Sequence, residues 1–245
     1  MQTYKISTLG ESFVFINRSM LGGEEELPKI YTPDSDNCHV VEITPDLRCD
    51  YRIHRVRGNA FAPDLARAVL VFLHAVKGLP RSEYEIIFDN DRIIQMHFAD
   101  GFGGNVGKCK LLFSKHLQND EKCDILFYCV EAPQGNYIFV ICDKTDVVDM
   151  RKLASRTVLE CASASNLAGL CALSYNSGEA TFKFHSLDNS VSAETSSYAA
   201  AAYLLGELVG ECSFVIKNGD FKTLCRVDDC GVRVYDLFPA VHKIF

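Results

Sequence analysis

Two kinds of hydrophobic pattern run through this chain. Short stretches rich in β-branched and aromatic residues are bounded by turn-forming clusters, and two longer stretches are apolar at nearly every position. The first kind reads as strands. Gln2–Ile6 and Ser12–Ile16 form a pair around Leu9-Gly10-Glu11, and Cys38–Ile43 and Asp50–Val56 follow. Tyr84–Phe88 and Arg92–Phe98 make a hairpin across Asp89-Asn90-Asp91. Asp124–Val130 and Asn136–Cys142 flank Pro133-Gln134-Gly135, and Asn166–Tyr175 and Glu179–His185 flank Asn176-Ser177-Gly178. Cys212–Lys217 and Phe221–Val227 meet at Asn218-Gly219-Asp220, and Gly231–Leu237 is the last strand.

The second kind reads as helix. Ala193-Glu194-Thr195-Ser196-Ser197 runs into Tyr198-Ala199-Ala200-Ala201-Ala202-Tyr203-Leu204-Leu205, closed by Gly206 and Gly210. A surface helix carries an apolar stripe, so one that is apolar all round must be sheathed by other structure. Asn59-Ala60-Phe61-Ala62-Pro63-Asp64-Leu65-Ala66-Arg67-Ala68, then Val69–Leu73 and Gly78, repeats the design. Pro63 suits the start of that helix, which is expected to run to about Lys77, and Gly78 suits its end. Each helix offers a polar mouth, where unpaired backbone N–H groups and the positive dipole end attract anions. Two buried helices with polar mouths predict an internal duplication.

The segments between are less regular. The acidic stretch from Gly22 to Asn37 reads as a surface excursion. Gly101-Phe102-Gly103-Gly104-Asn105-Val106-Gly107 has the glycine density of a phosphate loop, but it lacks a G-K-[ST] ending and no helix-forming run follows, so a flexible loop is expected. Asp146–Leu153 predicts a short helix with Asp146 as its cap.

Composition narrows the class of protein. A chain of 245 residues with 48% hydrophobic and 23% charged residues can build real cores, in one large domain or two smaller ones. The net charge of −7, without a Lys/Arg cluster, argues against nucleic-acid binding. Met1-Gln2-Thr3-Tyr4-Lys5-Ile6 lacks the basic-then-apolar pattern of a leader, and no apolar run approaches the ~20 residues that span a bilayer. A cytoplasmic protein with no membrane contact is expected. The eleven cysteines include no C-x-x-C pair, so buried reduced thiols are expected rather than zinc or disulfides.

With its elements in this order, the chain resembles the diaminopimelate epimerase-like family of cofactor-independent amino-acid racemases and epimerases, over essentially its whole length. Leu9-Gly10-Glu11-Ser12-Phe13-Val14-Phe15-Ile16 is similar to that family's opening L-G-N-D-F-V-V-I. Asn136–Cys142, Asp146–Leu153 and Asn166 follow its second-half order, Glu194-Thr195 resembles its G-E-T, and Arg233–Pro239 resembles its terminal strand ending in G-P-A. The resemblance implies an α+β fold of two pseudo-symmetric halves, each a curled, mostly antiparallel sheet or barrel around a central buried helix, with a ligand cleft between the helix mouths. The first half would span 1–118, completed by a strand within 232–245, and the second 119–231. No cofactor is implied, and an amino-acid-like or peptide ligand is.

The family's chemistry uses two opposed cysteines, one thiolate taking the α-proton and one thiol delivering a proton to the other face. Laid on that pattern, this chain has Tyr198 at the second thiol, and Ala62 or, in a shifted alignment, Arg57 at the first. Glu11 replaces the opening asparagine, Ala199-Ala200-Ala201 replaces a G-T-G, and no glutamate-arginine pair stands around His185–Asn189. Asn166, Glu194 and Thr195 remain as ligand positions, with Ser196 and Asn59 beside them at the mouths. A tyrosine with its ordinary pKa of about 10 would need lowering by ~3 units, roughly 4 kcal/mol, to serve as a base at neutral pH. A helix N-terminus contributes about 0.3–1 kcal/mol, up to ~2 when partly buried. Tyr198 is therefore a poor base and a passable acid, and an aromatic plug is its plainer role. Isomerases of this fold in phenazine biosynthesis use a single carboxylate, which makes Glu11, Asp64 or Glu194 a candidate base if desolvated. The plainer roles are a dipole partner for Asp64, a cap for Glu194 and core packing for Cys161 and Cys171; His54 lies in a strand near the first mouth. The expectation is an epimerase-like protein without two-thiol chemistry, acting as a non-catalytic or partner subunit, in a homodimer or in a heterodimer with a related epimerase subunit. The alternative is an isomerase using a carboxylate and Tyr198.

Overall fold

The computed structural model describes residues 4–9, 11–15, 38–45, 53–57, 62–78, 80, 83–88, 93–98, 101–118, 124–160, 166–187 and 195–243. It divides into two compact units, one of residues 1–104 with 236–245 and one of residues 105–235. The architecture is α+β, and each unit wraps strands around one buried helix.

In the first unit the strands are β1 (Tyr4–Thr8), β2 (Glu11–Phe15), β3 (Cys38–Pro45), β4 (Ile53–Arg57), β5 (Glu83–Phe88), β6 (Ile93–Phe98), the start of β7 (Phe102–Gly107), and β16 (Ala240–Lys243). Their lateral order is β16-β1-β2-β3-β4-β5-β6-β7. Neighbours are antiparallel except β2 with β3 and β4 with β5, which are parallel. A parallel pair needs a crossover, and between β4 and β5 it is helix α1 (Ala62–Ala75). Leu65, Val69, Leu70 and Leu73 of α1 pack with Phe13, Phe15, Tyr84, Ile86 and Met96 from the strands. Gly78, with φ 69 and its N–H donated to the His74 carbonyl, ends α1 in the left-handed turn that glycine adopts without a Cβ clash.

The second unit holds β8 (Lys110–Gln118), β9 (Asp124–Ala132), β10 (Gly135–Ile141), β11 (Leu167–Asn176), β12 (Glu179–Ser186), β13 (Ser213–Asn218), β14 (Phe221–Asp228) and β15 (Gly231–Asp236). The same alternation recurs: β10 with β11 and β12 with β13 are parallel, and β8 with β9, β9 with β10, β11 with β12 and β13 with β14 are antiparallel. Helix α2 (Met150–Glu160) makes the first crossover and α3 (Thr195–Val209) the second. Thus β9-β10-β11-β12-α3-β13-β14 repeats β1-β2-β3-β4-α1-β5-β6, the duplication that the two apolar helices predict. Along β10, Ile138 and Val140 pack with Met150, Leu153 and Ala154 of α2, so Tyr137 and Phe139 face the other way by strand alternation. Residues 195–202 of α3 are all buried, as expected for a helix without a polar face.

Three expectations need correction. Gly101–Gly107 is not a loop: Phe102–Gly107 is β7, paired with β6 through Met96↔Gly104 and Phe98↔Phe102. Asp146 is not the cap of α2, because Thr145–Val147 forms a separate 3-10 turn and Asp149 Oδ1 accepts the Lys152 N–H at 3.1 Å. That helix begins at Met150 and runs past Leu153 to Glu160.

Candidate functional site

The register of the second unit gathers the candidate site at one end. β12 ends at Ser186, and the parallel pair Thr181↔Lys217 sends β13 the same way, so the chain must reverse through α3 and the helix must start at the end where β12 stops. Gly169↔Ser186 and the Asn136 N–H donated to the Asn166 carbonyl at 2.9 Å bring the Pro133-Gln134-Gly135 turn and Asn166 to that end. Asn218↔Phe221 adds the tip of the β13–β14 hairpin.

Tyr198 stands in the first turns of α3, 1% exposed. Asn218 Nδ2 donates to its hydroxyl at 3.3 Å, and its ring tilts against Phe182 with centroids 5.2 Å apart. The Cys225 thiol contacts its carbonyl at 3.9 Å. Thr195, Ser196 and Ser197 are buried beside it, and Ala199, Ala200 and Ala201 fill the interior with methyl groups. Among the described residues three buried side-chain oxygens have no hydrogen-bond partner: Ser196 Oγ, Gln134 Oε1 and Thr223 Oγ1. Gln134 belongs to the gathered turn, Ser196 to the first turn of α3, and Thr223 to the strand leaving the hairpin tip. A buried orphan of this kind costs about 1–3 kcal/mol unless a bound group satisfies it.

The first unit has the equivalent end, where the β1–β2 turn meets the start of α1, and its chemistry differs. Asp64, in the first turn of α1, accepts from Arg67 Nη2 at 2.6 Å, and both side chains are buried. Arg67 Nε donates to Thr8 Oγ1 at 2.9 Å, and the Thr8 hydroxyl donates to Asp236 Oδ2 at 2.7 Å. The same oxygen accepts the Leu9 N–H at 3.1 Å, while Oδ1 accepts the Phe238 N–H at 2.9 Å. This holds Leu9 at φ 49, a left-handed conformation that a non-glycine residue adopts at a cost of about 1–2 kcal/mol.

Of the sequence candidates, then, Thr195, Ser196 and Tyr198 share the α3 mouth, with Asn166 exposed at the same end of the unit. Asp64 lies at the α1 mouth, tied to Arg67. Glu194, Asn59 and Cys161 lie outside the described residues, as do the side chains of Glu11 and His54, whose backbones belong to β2 and β4. Arg67, Thr8, Asp236, Gln134, Asn218 and Thr223 are not marked as site residues by the sequence. A solitary arginine three positions after an aspartate on an apolar helix was the one available signal for the first group.

Three of the described thiols are held protonated by burial. Burial pushes the Cys109 thiol up to about 12 and raises that of Cys171 well above the ordinary range. Burial, and then the Asp143 charge, also raise Cys142. A thiol that stays protonated is a weak proton acceptor. Among the described residues no three His, Cys, Asp or Glu side chains are grouped to hold a metal ion, and no helix is long and apolar enough to cross a membrane.

No protein-family model matches the sequence, and no curated protein does. Solved structures do. A Clostridium difficile protein described as phenazine biosynthesis PhzC/PhzF matches over 100% of this chain and 98% of its own, with a TM-score of 0.62 at 9% identity. A hydroxyproline epimerase from Agrobacterium vitis, solved with trans-4-hydroxy-L-proline bound, matches over 100% of this chain and 90% of its own, with a TM-score of 0.58 at 11% identity. The chain has the diaminopimelate epimerase-like fold. A methylitaconate-delta-isomerase shares it, over 100% of this chain and 94% of its own, with a TM-score of 0.53 at 12% identity. Identities this low carry the epimerase-like architecture alone, and the chemistry has to be argued from the side chains in place.

Proposed function

We propose that this protein binds a small amino-acid-like carboxylate at the mouth of α3 and does not run two-thiol racemisation by itself, serving as a non-catalytic or partner subunit of an amino-acid or peptide epimerase. The observation that carries the reading is Tyr198: at the position where the family resemblance expects a thiol, a buried phenol is held by Asn218 and packed on Phe182. A phenol so placed can donate to a ligand and is a weak acceptor of an α-proton. The hydroxyls of Thr195, Ser196 and Ser197 beside the α3 N-terminus suit a carboxylate, and the unpartnered Ser196 Oγ gives it a donor. That a hydroxyproline epimerase of this fold holds its amino acid supports the ligand class.

The deciding measurement incubates the purified chain with a panel of amino acids in heavy water and follows α-deuterium by mass spectrometry. The proposal expects no exchange by the chain alone, together with ligand-dependent thermal stabilisation. Robust exchange would overturn it in favour of the second reading, an isomerase in which Glu194 supplies the base and Tyr198 the acid. In that case Tyr198→Phe and Glu194→Gln should each abolish exchange while leaving the circular dichroism spectrum unchanged.

A further inference from the structure

Inside the second unit a line of rings runs from the buried Tyr198 out to the rim of the α3 mouth. Strand alternation puts Phe182, Phe184 and Ser186 on one face of β12, and the Phe182 ring, 5.2 Å from that of Tyr198, marks it as the face that meets α3. Phe184 stands nearer the strand end, stacked on Phe182 at 6.3 Å and tilted against Tyr137 at 6.4 Å. Its seat is made by a glycine, since a Cβ on Gly169 would run into the ring. Although it faces inward, Phe184 is only half-buried.

The β13–β14 hairpin supplies a second ring. Phe221 is directly opposite Asn218, so the two side chains share a face, and Asn218 is the residue that donates to the Tyr198 hydroxyl. On that face of β14 lie Thr223, wholly buried, and Cys225, against the Tyr198 carbonyl. From Cys225 to Phe221 the strand runs about 13 Å toward the tip, whereas Tyr198 is only about 5 Å along the helix from its start at Thr195. Phe221 therefore reaches past the helix start, and it is 52% exposed.

Two hydroxyls at the same mouth lack a partner. Ser196 and Thr223 are both fully buried, and neither side-chain oxygen is hydrogen-bonded. Helical side chains tilt toward the N-terminus, so Ser196 Oγ is aimed into the mouth. The side chains that these registers put on the inner face of β12, β13 and β14 at this end, Phe184, Ser186, Asn218 and Phe221, carry no charge.

We propose that the α3 mouth selects carboxylates that carry a flat apolar ring, the class represented by phenylalanine: Ser196 meets the carboxylate, and Phe184 and Phe221 take the ring. The inference rests on the reading of this mouth as a carboxylate site and adds the side chain that goes with it. Ring-on-ring contact favours an aromatic group over an aliphatic one of equal area. A second charged end would find no counter-ion among these side chains.

The test follows thermal unfolding of the full chain against rising concentrations of L-phenylalanine, D-phenylalanine, L-alanine and L-glutamate. At least one phenylalanine enantiomer should raise the Tm saturably, half-saturating at least about tenfold below alanine or glutamate. Phe221→Ala, a change at an exposed ring, should keep a cooperative melt and weaken phenylalanine by about tenfold or more. If that variant is recovered unfolded, Phe221→Leu takes its place; it keeps apolar bulk without the flat face and should weaken phenylalanine by about threefold or more. Alanine or glutamate acting at concentrations as low as phenylalanine, or an unchanged phenylalanine response in the folded variant, overturns the proposal and leaves the carboxylate reading standing. No response of wild type to any of the four overturns both.

Discussion

Arg67→Met is expected to destabilise the protein by about 3–5 kcal/mol, the cost of leaving a buried carboxylate without its counter-ion. Methionine keeps most of the aliphatic volume of the arginine stem, so the loss reports electrostatics and hydrogen bonding rather than a cavity. Two acceptors lose a donor together, Asp64 Oδ1 and Thr8 Oγ1, and through Thr8 the clasp on Asp236 loosens. Arg67→Lys restores a charge but cannot present the planar fork to both acceptors, and should recover only part of the loss. Combining Arg67→Met with Asp64→Asn should cost less than the sum of the two single changes, because the second removes the charge that the first strands. Urea unfolding followed by circular dichroism measures all four variants against the wild type. A loss below about 1 kcal/mol for Arg67→Met would mean that the pair is solvated, since exposed ion pairs are worth no more than that.

The second large effect is expected at Tyr198, where truncation to alanine should cost about 3–5 kcal/mol, as for other large buried aromatic side chains. Its ring fills the space against Phe182, and its hydroxyl reaches Asn218. Tyr198→Phe keeps the ring and gives up the hydroxyl contact, a change of about 0.5–1.5 kcal/mol. The comparison between the two variants separates packing from polar work at the α3 mouth. A phenylalanine variant as unstable as the alanine variant would show that the hydroxyl, not the ring, holds the site together.

What the sequence disclosed and concealed follows from the range of the interactions involved. The central helices were legible because their apolar faces close on themselves within fifteen residues or fewer, and the hairpins because their turns are local. β7 was concealed by its own composition. Gly103, Gly104 and Gly107 depress strand propensity, and at Gly107 there is no room for a side chain: a Cβ there would lie 2.8 Å from Pro133, and one on Gly231 2.5 Å from the Gly107 carbonyl oxygen. β8 was passed over although Leu111, Phe113 and Leu117 alternate along it, and β16 is only four residues long. The Thr8–Asp236 contact joins positions 228 residues apart, and no local pattern announces such a pair. At the candidate site, Thr195, Ser196 and Tyr198 could be named from the helix mouth alone, whereas Asn218 and Gln134 reach it through strand register.

The division of the chain also sets an order of assembly during translation. Residues 105–235 are contiguous, while the first unit needs residues from 236 onward to flank β1 and to supply Asp236. With elongation at about 5–20 residues per second, the later-synthesised unit has all its strands while the earlier one still lacks its outer strand. The half made first is thus expected to close last, and its β1 edge stays open to wrong partners in the interval. Ribosome-stalled chains ending at residue 235, extended by a linker that clears the exit tunnel, should show protease protection confined to residues 105–235. Protection of the earlier unit in those chains would show that it closes unaided.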